Sequence, residues 1–146
     1  MKQFRAKTIG RVVVMGRRTL ESFPGGKPLP DRTNVVLTRQ KDFHSQGVLV
    51  CHSWSDLFDR LRSRPDEDIF IIGGGEIYRH LIPYCRTGYI TKLHRTYPAD
   101  TRILNLDREE NWRVVREDGP YRYEDVSYTY LEYRNSRVRS LPEKER

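Results

Sequence analysis

Residues 68–78 constrain the fold more than any other part of the sequence. They read Asp-Ile-Phe-Ile-Ile-Gly-Gly-Gly-Glu-Ile-Tyr. An apolar, β-branched run with charge only at its start predicts a strand buried on both faces, and therefore one in the middle of a parallel sheet. The three glycines that follow carry no Cβ, so another group can approach the backbone closely where the chain turns.

A short helix is expected after these glycines. Within residues 76–82, Ile77, Leu81 and Ile82 share one side of such a helix, which should end before Pro83. A strand, a glycine turn and a helix N-terminus together suit an anion, because unpaired N–H groups and the helix dipole point into the gap. A tight turn without a ligand accounts for the same pattern equally well, since a glycine turn is a weak signal.

A second unit of the same kind lies near the N-terminus. Residues 11–15 predict a strand, Gly16 follows it, and residues 17–23 predict a helical turn or two. Arg17, Arg18 and Thr19 open this helix, where guanidinium forks, a hydroxyl and backbone N–H groups suit a phosphate or pyrophosphate. The alternative is that both arginines are simply solvated.

The remaining pattern alternates strand and helix and then changes character. Helices are predicted over residues 1–7 and 54–62, the second capped by Ser53. Further strands are predicted over residues 34–38, 48–51, 87–94, 112–116 and 126–133. The alternation implies a mostly parallel sheet with right-handed crossovers. The last two strands should form an antiparallel hairpin at the sheet's edge, joined by a polar turn over residues 118–124.

Composition limits the class of protein. A chain of 146 residues fits one domain, and a net charge of +7 suggests an anionic partner such as a phosphorylated cofactor, a polycarboxylate or nucleic acid. Part of that charge lies in residues 135–146, which we expect to be an unstructured tail. Cys51 and Cys85 fit no metal spacing or disulfide framework, which favours a reduced, cytoplasmic compartment. No stretch predicts a membrane span or a signal peptide.

Three blocks of the sequence resemble the dihydrofolate reductase family in order and spacing. They are residues 14–23, 27–38 and 71–78, and the matches continue in the Tyr-Ile-Thr run at 89–91 and the Pro-Ala-Asp-Thr run at 98–101. The resemblance implies an α/β, three-layer fold with a mostly parallel central sheet, helices on both faces and a C-terminal antiparallel hairpin. The domain would span residues 1–134, and the charged tail residues 135–146.

The resemblance also implies a reaction, the NADPH-dependent reduction of dihydrofolate to tetrahydrofolate in one-carbon metabolism. Thr38 and Arg39 would lie by the adenine-ribose phosphate, with Arg17 nearby, and this pair of arginines favours NADPH over NADH. Gly73 and Gly74 resemble the pair that a cis peptide joins in this family. The full set of implied cofactor residues is Gly16, Arg17, Arg18, Thr19, Thr38, Arg39, Gly73, Gly74, Gly75, Glu76 and Ile77.

On the substrate side, the resemblance places Phe4 against the benzoyl ring, and Arg32 on the glutamate α-carboxylate through its planar fork. Thr91 resembles the threonine that hydrogen-bonds the pterin and the catalytic carboxylate. The implied substrate residues are Phe4, Phe23, Leu29, Arg32, Ile72, Tyr78 and Thr91, and antifolate inhibitors are plausible ligands. Packing alone accounts equally well for Phe23, Leu29 and Ile72, but it is a poor explanation for Arg32 in a Pro-rich loop.

The family's first strand, mobile loop and catalytic carboxylate have no counterpart here. The acid would directly precede the position matched by Met1, so no residue of this sequence is assigned a catalytic role, and the activity of the sequence as given is left open. We expect a start codon assigned too late or a chain shortened by design, rather than a true loss. Glu76 is a smaller departure, since a basic residue at that position could add a phosphate contact that Glu cannot.

Two alternatives remain open from the sequence. One is a non-catalytic NADPH-binding remnant, and the other is a riboflavin-pathway reductase of the same fold, against which the Leu-Pro-x-Arg-Thr-Asn block argues. We expect no nucleic-acid partner, because there is no aromatic-rich basic strand or recognition helix. We also expect no metal, no membrane association and a monomeric protein.

Overall fold

The computed structural model describes residues 2–93, 106, 109–124 and 126–142. The described residues divide into two compact units, one formed by those up to His80 together with Leu141 and Pro142, the other by those between Leu81 and Ser140. In the first unit the helices are α1 (Lys2–Thr8), α2 (Arg17–Glu21), α3 (Trp54–Arg62) and α4 (Gly75–Leu81). Its strands are β1 (Val12–Gly16), β2 (Thr33–Leu37), β3 (Val48–Cys51) and β4 (Ile69–Gly73).

The first unit is built on a four-stranded, all-parallel sheet in the order β3-β2-β1-β4. Val13 and Met15 of β1 form a buried cluster with Leu20 and Val36. Residues 12–15 of β1 are all buried, as expected for an apolar strand with a neighbour on each side. The predicted parallel sheet and its strand–helix alternation are therefore confirmed.

The prediction that residues 68–72 form a central strand buried on both faces was wrong in part. Within the described residues β4 pairs only with β1, and it is the last strand in its sheet. Ile69, Phe70, Ile71 and Ile72 are all half-buried. An apolar run indicates that a strand can be covered on both faces, but it does not report how many strands lie beside it.

The second unit contains a three-stranded antiparallel sheet in the order β5-β7-β6. These strands are β5 (Thr87–Leu93), β6 (Trp112–Tyr123) and β7 (Val126–Asn135). A buried cluster of Leu106, Trp112, Leu131 and Tyr133 covers one face. The antiparallel hairpin is confirmed, with β6 at the edge of its sheet. His94 and residues 98–101, used in the predictions above, lie outside the described residues.

The predicted polar turn over residues 118–124 was wrong, because most of it belongs to β6. Tyr121 pairs with Tyr128, and Tyr123 with Val126, so β6 continues to Tyr123. A register shift between Asp118 and Tyr121 accommodates Gly119 and Pro120 within the strand.

The tail begins later than residue 135. Asn135 is the last residue of β7, only 4% of its surface is exposed, and its side-chain Nδ2 donates to Cys85 O at 2.9 Å. The backbone N–H of Ser136 donates to Asn111 O, and that of Arg139 to Pro83 O. Charge density suggested an unstructured segment, but these hydrogen bonds fix its first residues within the second unit.

Candidate active site

The two glycine turns meet at the carboxyl edge of the parallel sheet. Gly16 ends β1 and Gly73 ends β4, and Met15 lies opposite Gly73 in the register of these strands. A Cβ placed on Gly16 would lie 3.6 Å from Ile77 Cγ1 and 3.9 Å from the backbone N of Gly74. Two strand–glycine–helix units that are far apart in the sequence therefore form one site, named here the glycine corner (Gly16, Thr19, Gly73, Gly74 and Ile77).

Thr19 closes the glycine corner from the side of α2. A Cβ on Gly73 would lie 3.3 Å from Thr19 Oγ1, and one on Gly74 would lie 3.8 Å from the same atom. Gly73 has φ +136°, a conformation that favours glycine, and the Gly73–Gly74 peptide is cis, as the resemblance implied. The corner thus offers a hydroxyl and closely approachable backbone, which suit the oxygens of a phosphate.

Cationic side chains surround this corner, but two of them are already paired with carboxylates. Arg17 Nη1 lies 2.6 Å from Glu21 Oε1, and Arg39 Nη2 lies 3.4 Å from Glu76 Oε1. Arg18 is exposed. Both positively and negatively charged side chains therefore lie near the corner. A phosphate that binds there would compete with Glu21 and Glu76 for the guanidinium groups.

The segment after β2 is fixed at Thr38. Its side chain is buried, its backbone N–H donates to Cys51 O at 2.9 Å, and its Oγ1 accepts from the N–H of Gln40 at 3.2 Å. His52 Nδ1 lies 3.1 Å from Thr38 O. These contacts fix the backbone at Thr38, the residue directly before Arg39.

Phe4 and Arg32 form the second group of predicted site residues. The Arg32 guanidinium carbon lies 5.8 Å from the centre of the Phe4 ring, and Arg32 Nε is buried without a hydrogen-bond partner. Burial, followed by the nearby charge of Arg5, lowers the pKa of Arg32, and Asp31 opposes this shift. An unpaired buried donor is costly, so this guanidinium is well suited to a carboxylate acceptor.

The apolar site residues of the first unit contact its core. Phe23, Leu29 and Ile72 are half-buried and pack against the buried cluster that contains Met15 and Leu20, so a packing role accounts for part of each side chain. Tyr78 is half-buried, and a Cβ on Gly73 would lie 3.8 Å from its ring. Gly75 faces open space, and Glu76 is exposed.

Thr91 lies in the second unit, on β5 opposite Tyr130, and is exposed there. One residue with a clear role escaped the sequence interpretation. Asn34 is buried at the start of β2, and its side chain hydrogen-bonds backbone groups of Leu29 and Arg32. An asparagine that ends a Pro-rich loop is a recognisable signal, because its amide can pair with nearby backbone.

Among the residues that the structure describes, no group of three or more His, Cys, Asp or Glu side chains is placed to hold a metal ion. No helix among the described residues has the length and apolar character needed to cross a membrane.

A parallel sheet whose carboxyl edge carries a glycine-lined corner is typical of α/β proteins that bind phosphorylated nucleotides. Comparison with known families identifies a narrower class. The family model described as dihydrofolate reductase matches residues 1–135. The chain belongs to the dihydrofolate reductase family.

Individual relatives agree with this assignment. The dihydrofolate reductase of Bacillus subtilis (strain 168) is 39% identical over 132 residues, which cover 86% of this chain and 76% of that protein. That of Haemophilus influenzae is 38% identical over 129 residues, covering 87% and 74%. A solved structure of dihydrofolate reductase from Enterococcus faecalis, complexed with NADP(H) and RAB-propyl, matches with a TM-score of 0.76 and 33% identity, covering 92% of this chain and 79% of that one.

Proposed function

We propose that this protein reduces 7,8-dihydrofolate to 5,6,7,8-tetrahydrofolate with NADPH, as expected of a dihydrofolate reductase. The observation that carries the proposal is the glycine corner, where the ends of β1 and β4 meet beside the Thr19 hydroxyl. Membership of the family and the NADP(H)-bound Enterococcus faecalis relative support the same cofactor.

The cofactor would lie along the carboxyl edge of the parallel sheet. Backbone N–H groups of the corner and the Thr19 hydroxyl would bind the pyrophosphate. The pyrophosphate can come close to this backbone only because the glycines have no side chain in its way. Arg39, Thr38 and Arg17 would bind the adenosine-side phosphate. The remaining contacts proposed are Gly16, Arg18, Gly73, Gly74, Gly75, Glu76 and Ile77. When bound, NADPH supplies the hydride.

Dihydrofolate would be held at its charged end by Arg32. The buried, unpaired Nε of Arg32 supports this role, since a carboxylate would satisfy it with a charge-assisted hydrogen bond. Phe4, over whose ring the Arg32 guanidinium lies, would contact the benzoyl ring. The other substrate contacts proposed are Phe23, Leu29, Ile72, Tyr78 and Thr91. All of these residues bind or orient, and none of them is proposed as the proton donor.

Binding and turnover test the proposal separately. Calorimetric titration of the purified chain should give tighter binding of NADPH than of NADH, and a 2,4-diaminopyrimidine antifolate should compete with dihydrofolate. Turnover and Michaelis constants are measured on the chain extended at its N-terminus by the family's first strand, mobile loop and catalytic carboxylate. Loss of NADPH absorbance with dihydrofolate, and none with a ribosylaminopyrimidine, is the expected result. Binding of NADPH without turnover would identify a non-catalytic NADPH-binding protein, and turnover of the ribosylaminopyrimidine alone would identify a riboflavin-pathway reductase.

We also propose a monomeric, cytoplasmic protein with one reductase domain that includes the whole of β7 to Asn135, followed by a short C-terminal tail. The two free cysteines support a reducing compartment. Sedimentation equilibrium over a range of concentrations tests the oligomeric state, and limited proteolysis tests where the tail begins.

A further inference from the structure

Arg39 and Glu76 form an ion pair that joins the segment after β2 to the first turn of α4. Arg39 Nη2 donates to Glu76 Oε1 at 3.4 Å, although the residues are 37 positions apart in the chain. Arg39 follows β2, whereas Glu76 lies in the first turn of α4, directly after the glycines. The ion pair therefore connects the segment proposed for the adenosine-side phosphate with the glycine corner.

The backbone on both sides of this ion pair is anchored, while the two side chains are not buried. Thr38 is held on one side by its hydrogen bonds to neighbouring strands and turns. On the other side, His80 Nδ1 lies 3.2 Å from Glu76 O, and the His80 ring stacks on Trp54 at 4.1 Å. The Arg39 side chain is 91% exposed and that of Glu76 is 56% exposed. Either side chain can therefore change partner without disturbing the fold.

We propose that Glu76 is an internal competitor for Arg39, and that it thereby lowers the selectivity of this protein for 2′-phosphorylated over unphosphorylated dinucleotides. The inference rests on the proposed function, in which Arg39 binds the phosphate that distinguishes NADPH from NADH. It assigns Glu76 a role opposite to that of a phosphate ligand, and it makes the residue a determinant of cofactor selectivity.

Simple electrostatics supports this role. A 2′-phosphate that binds Arg39 must displace the Glu76 carboxylate, and it then lies beside a negative charge that repels it. NADH carries no such phosphate, so Glu76 affects its binding little. Because exposed ion pairs are weak and screened by salt, the penalty on NADPH is a factor of several rather than of hundreds.

The test is Glu76→Gln, which keeps the shape of the side chain and removes its charge. Calorimetry should show NADPH binding about three- to tenfold more tightly than to the unmodified chain, a range expected for the loss of one exposed charge pair and one repulsion. Binding of NADH should change by less than about twofold on the same grounds. Adenosine 2′,5′-bisphosphate and adenosine 5′-monophosphate, used as fragment probes, should show the same contrast.

Two matched controls separate a local effect from a change in net charge. Glu67→Gln removes the same charge from an exposed side chain just before β4, at the end of that strand away from the glycines. This variant should leave the NADPH to NADH affinity ratio unchanged. In an Arg39→Gln background, Glu76→Gln should increase the NADPH affinity much less, since Glu76 acts mainly through Arg39.

The outcomes are distinguishable. The inference is supported if Glu76→Gln raises the affinity only for the ligands that carry a 2′-phosphate, and if this increase depends on Arg39. Weaker NADPH binding by Glu76→Gln would mean that Glu76 positions Arg39 for the phosphate. NADPH affinity equal to that of the unmodified chain would mean that the ion pair does not affect cofactor binding. Either result overturns this inference and leaves the proposed function standing. Failure of the unmodified chain to bind NADPH overturns the proposed function and with it this inference.

Discussion

Asn34 holds Leu29 by both of its backbone polar groups. Asn34 Nδ2 donates to Leu29 O at 2.9 Å, and Leu29 N–H donates to Asn34 Oδ1 at 3.0 Å. The same Nδ2 donates to Arg32 O at 3.1 Å. One buried side chain therefore fixes the loop that carries two of the proposed substrate contacts to the start of β2.

Replacing Asn34 should loosen this loop. Asn34→Ala leaves one N–H and two carbonyl groups without their partner, and we expect the free energy of unfolding to fall by roughly 2–4 kcal/mol. The KM for dihydrofolate should rise several-fold because Arg32 loses its fixed position, while NADPH affinity changes little. Urea unfolding and steady-state kinetics measure both effects.

A suitable control is Gln46→Ala, which removes an exposed amide from the loop before β3. It should change neither stability nor KM. If Asn34→Ala proved as harmless as this control, the hydrogen bonds of Asn34 would not be what orders the loop.

Local sequence patterns predict those parts of the fold that depend on neighbouring residues. Ser53 was expected to cap α3, and its Oγ accepts from the N–H of Asp56 at 3.1 Å, which confirms the cap. The strands that end at Gly16 and Gly73 were predicted to within a residue. Both follow from β-branched runs that end at glycine, a signal carried by a few adjacent residues.

Features that depend on distant residues escaped prediction. Pairing of Tyr121 with Tyr128 continues β6 past Gly119 and Pro120, although the dipeptide taken alone indicates a turn. The ion pair of Arg39 with Glu76 depends on how two strands are arranged in the sheet. Sequence spacing does not report such contacts, because they arise only once the sheet has formed.

Arg32 should matter more for substrate binding than for stability. Arg32→Leu removes the proposed carboxylate ligand, so we expect the KM for dihydrofolate to rise by about tenfold or more, the range for a charge-assisted hydrogen bond. The KM for NADPH should stay within about twofold, because that ligand makes no contact with Arg32 in the proposal. The unfolding free energy should not fall, since the buried Nε of Arg32 has no partner to lose.

Arg5→Leu is the matched control for Arg32. It removes the same charge from a nearby, exposed guanidinium that lies 4.0 Å from Asp31. Its effect on the dihydrofolate KM should be small, because exposed ion pairs are weak and no substrate role is proposed for Arg5. Equal increases in both Michaelis constants for Arg32→Leu would contradict the assigned role.

A methyl group should be tolerated at Gly75, directly after the glycine corner, but not at Gly73 within it. Gly73→Ala places a Cβ 3.3 Å from Thr19 Oγ1 at φ +136°, so we expect a loss of about 1–3 kcal/mol in unfolding free energy and weaker NADPH binding. Gly75→Ala meets no atom within 4 Å and lies in the first turn of α4, so its stability should be unchanged or slightly higher. If the two variants behaved equally in urea unfolding and NADPH titration, the close approach to Thr19 would not be what excludes a side chain at Gly73.

The two cysteines should make stability fall in alkaline solution. Burial raises the pKa of Cys51 to about 11 from an ordinary value of 9.0, with a smaller contribution from Asp56, and burial alone raises that of Cys85 to about 11. Because the folded pKa is the higher one, the stabilising effect is complete below pH 9 and is lost as pH rises towards 11. Near pH 10 the loss should be about 1 kcal/mol for each thiol.

Other groups also titrate in this range, so the measurement is a difference between variants. Urea unfolding under reducing conditions should show a smaller loss between about pH 8 and about pH 10 for Cys51→Ala and for Cys85→Ala than for the unmodified chain. A matched variant is Ser45→Ala, which carries no titrating group and should keep the full loss. Parallel pH profiles for all four proteins would mean that the folded thiols ionise as readily as those of the unfolded chain.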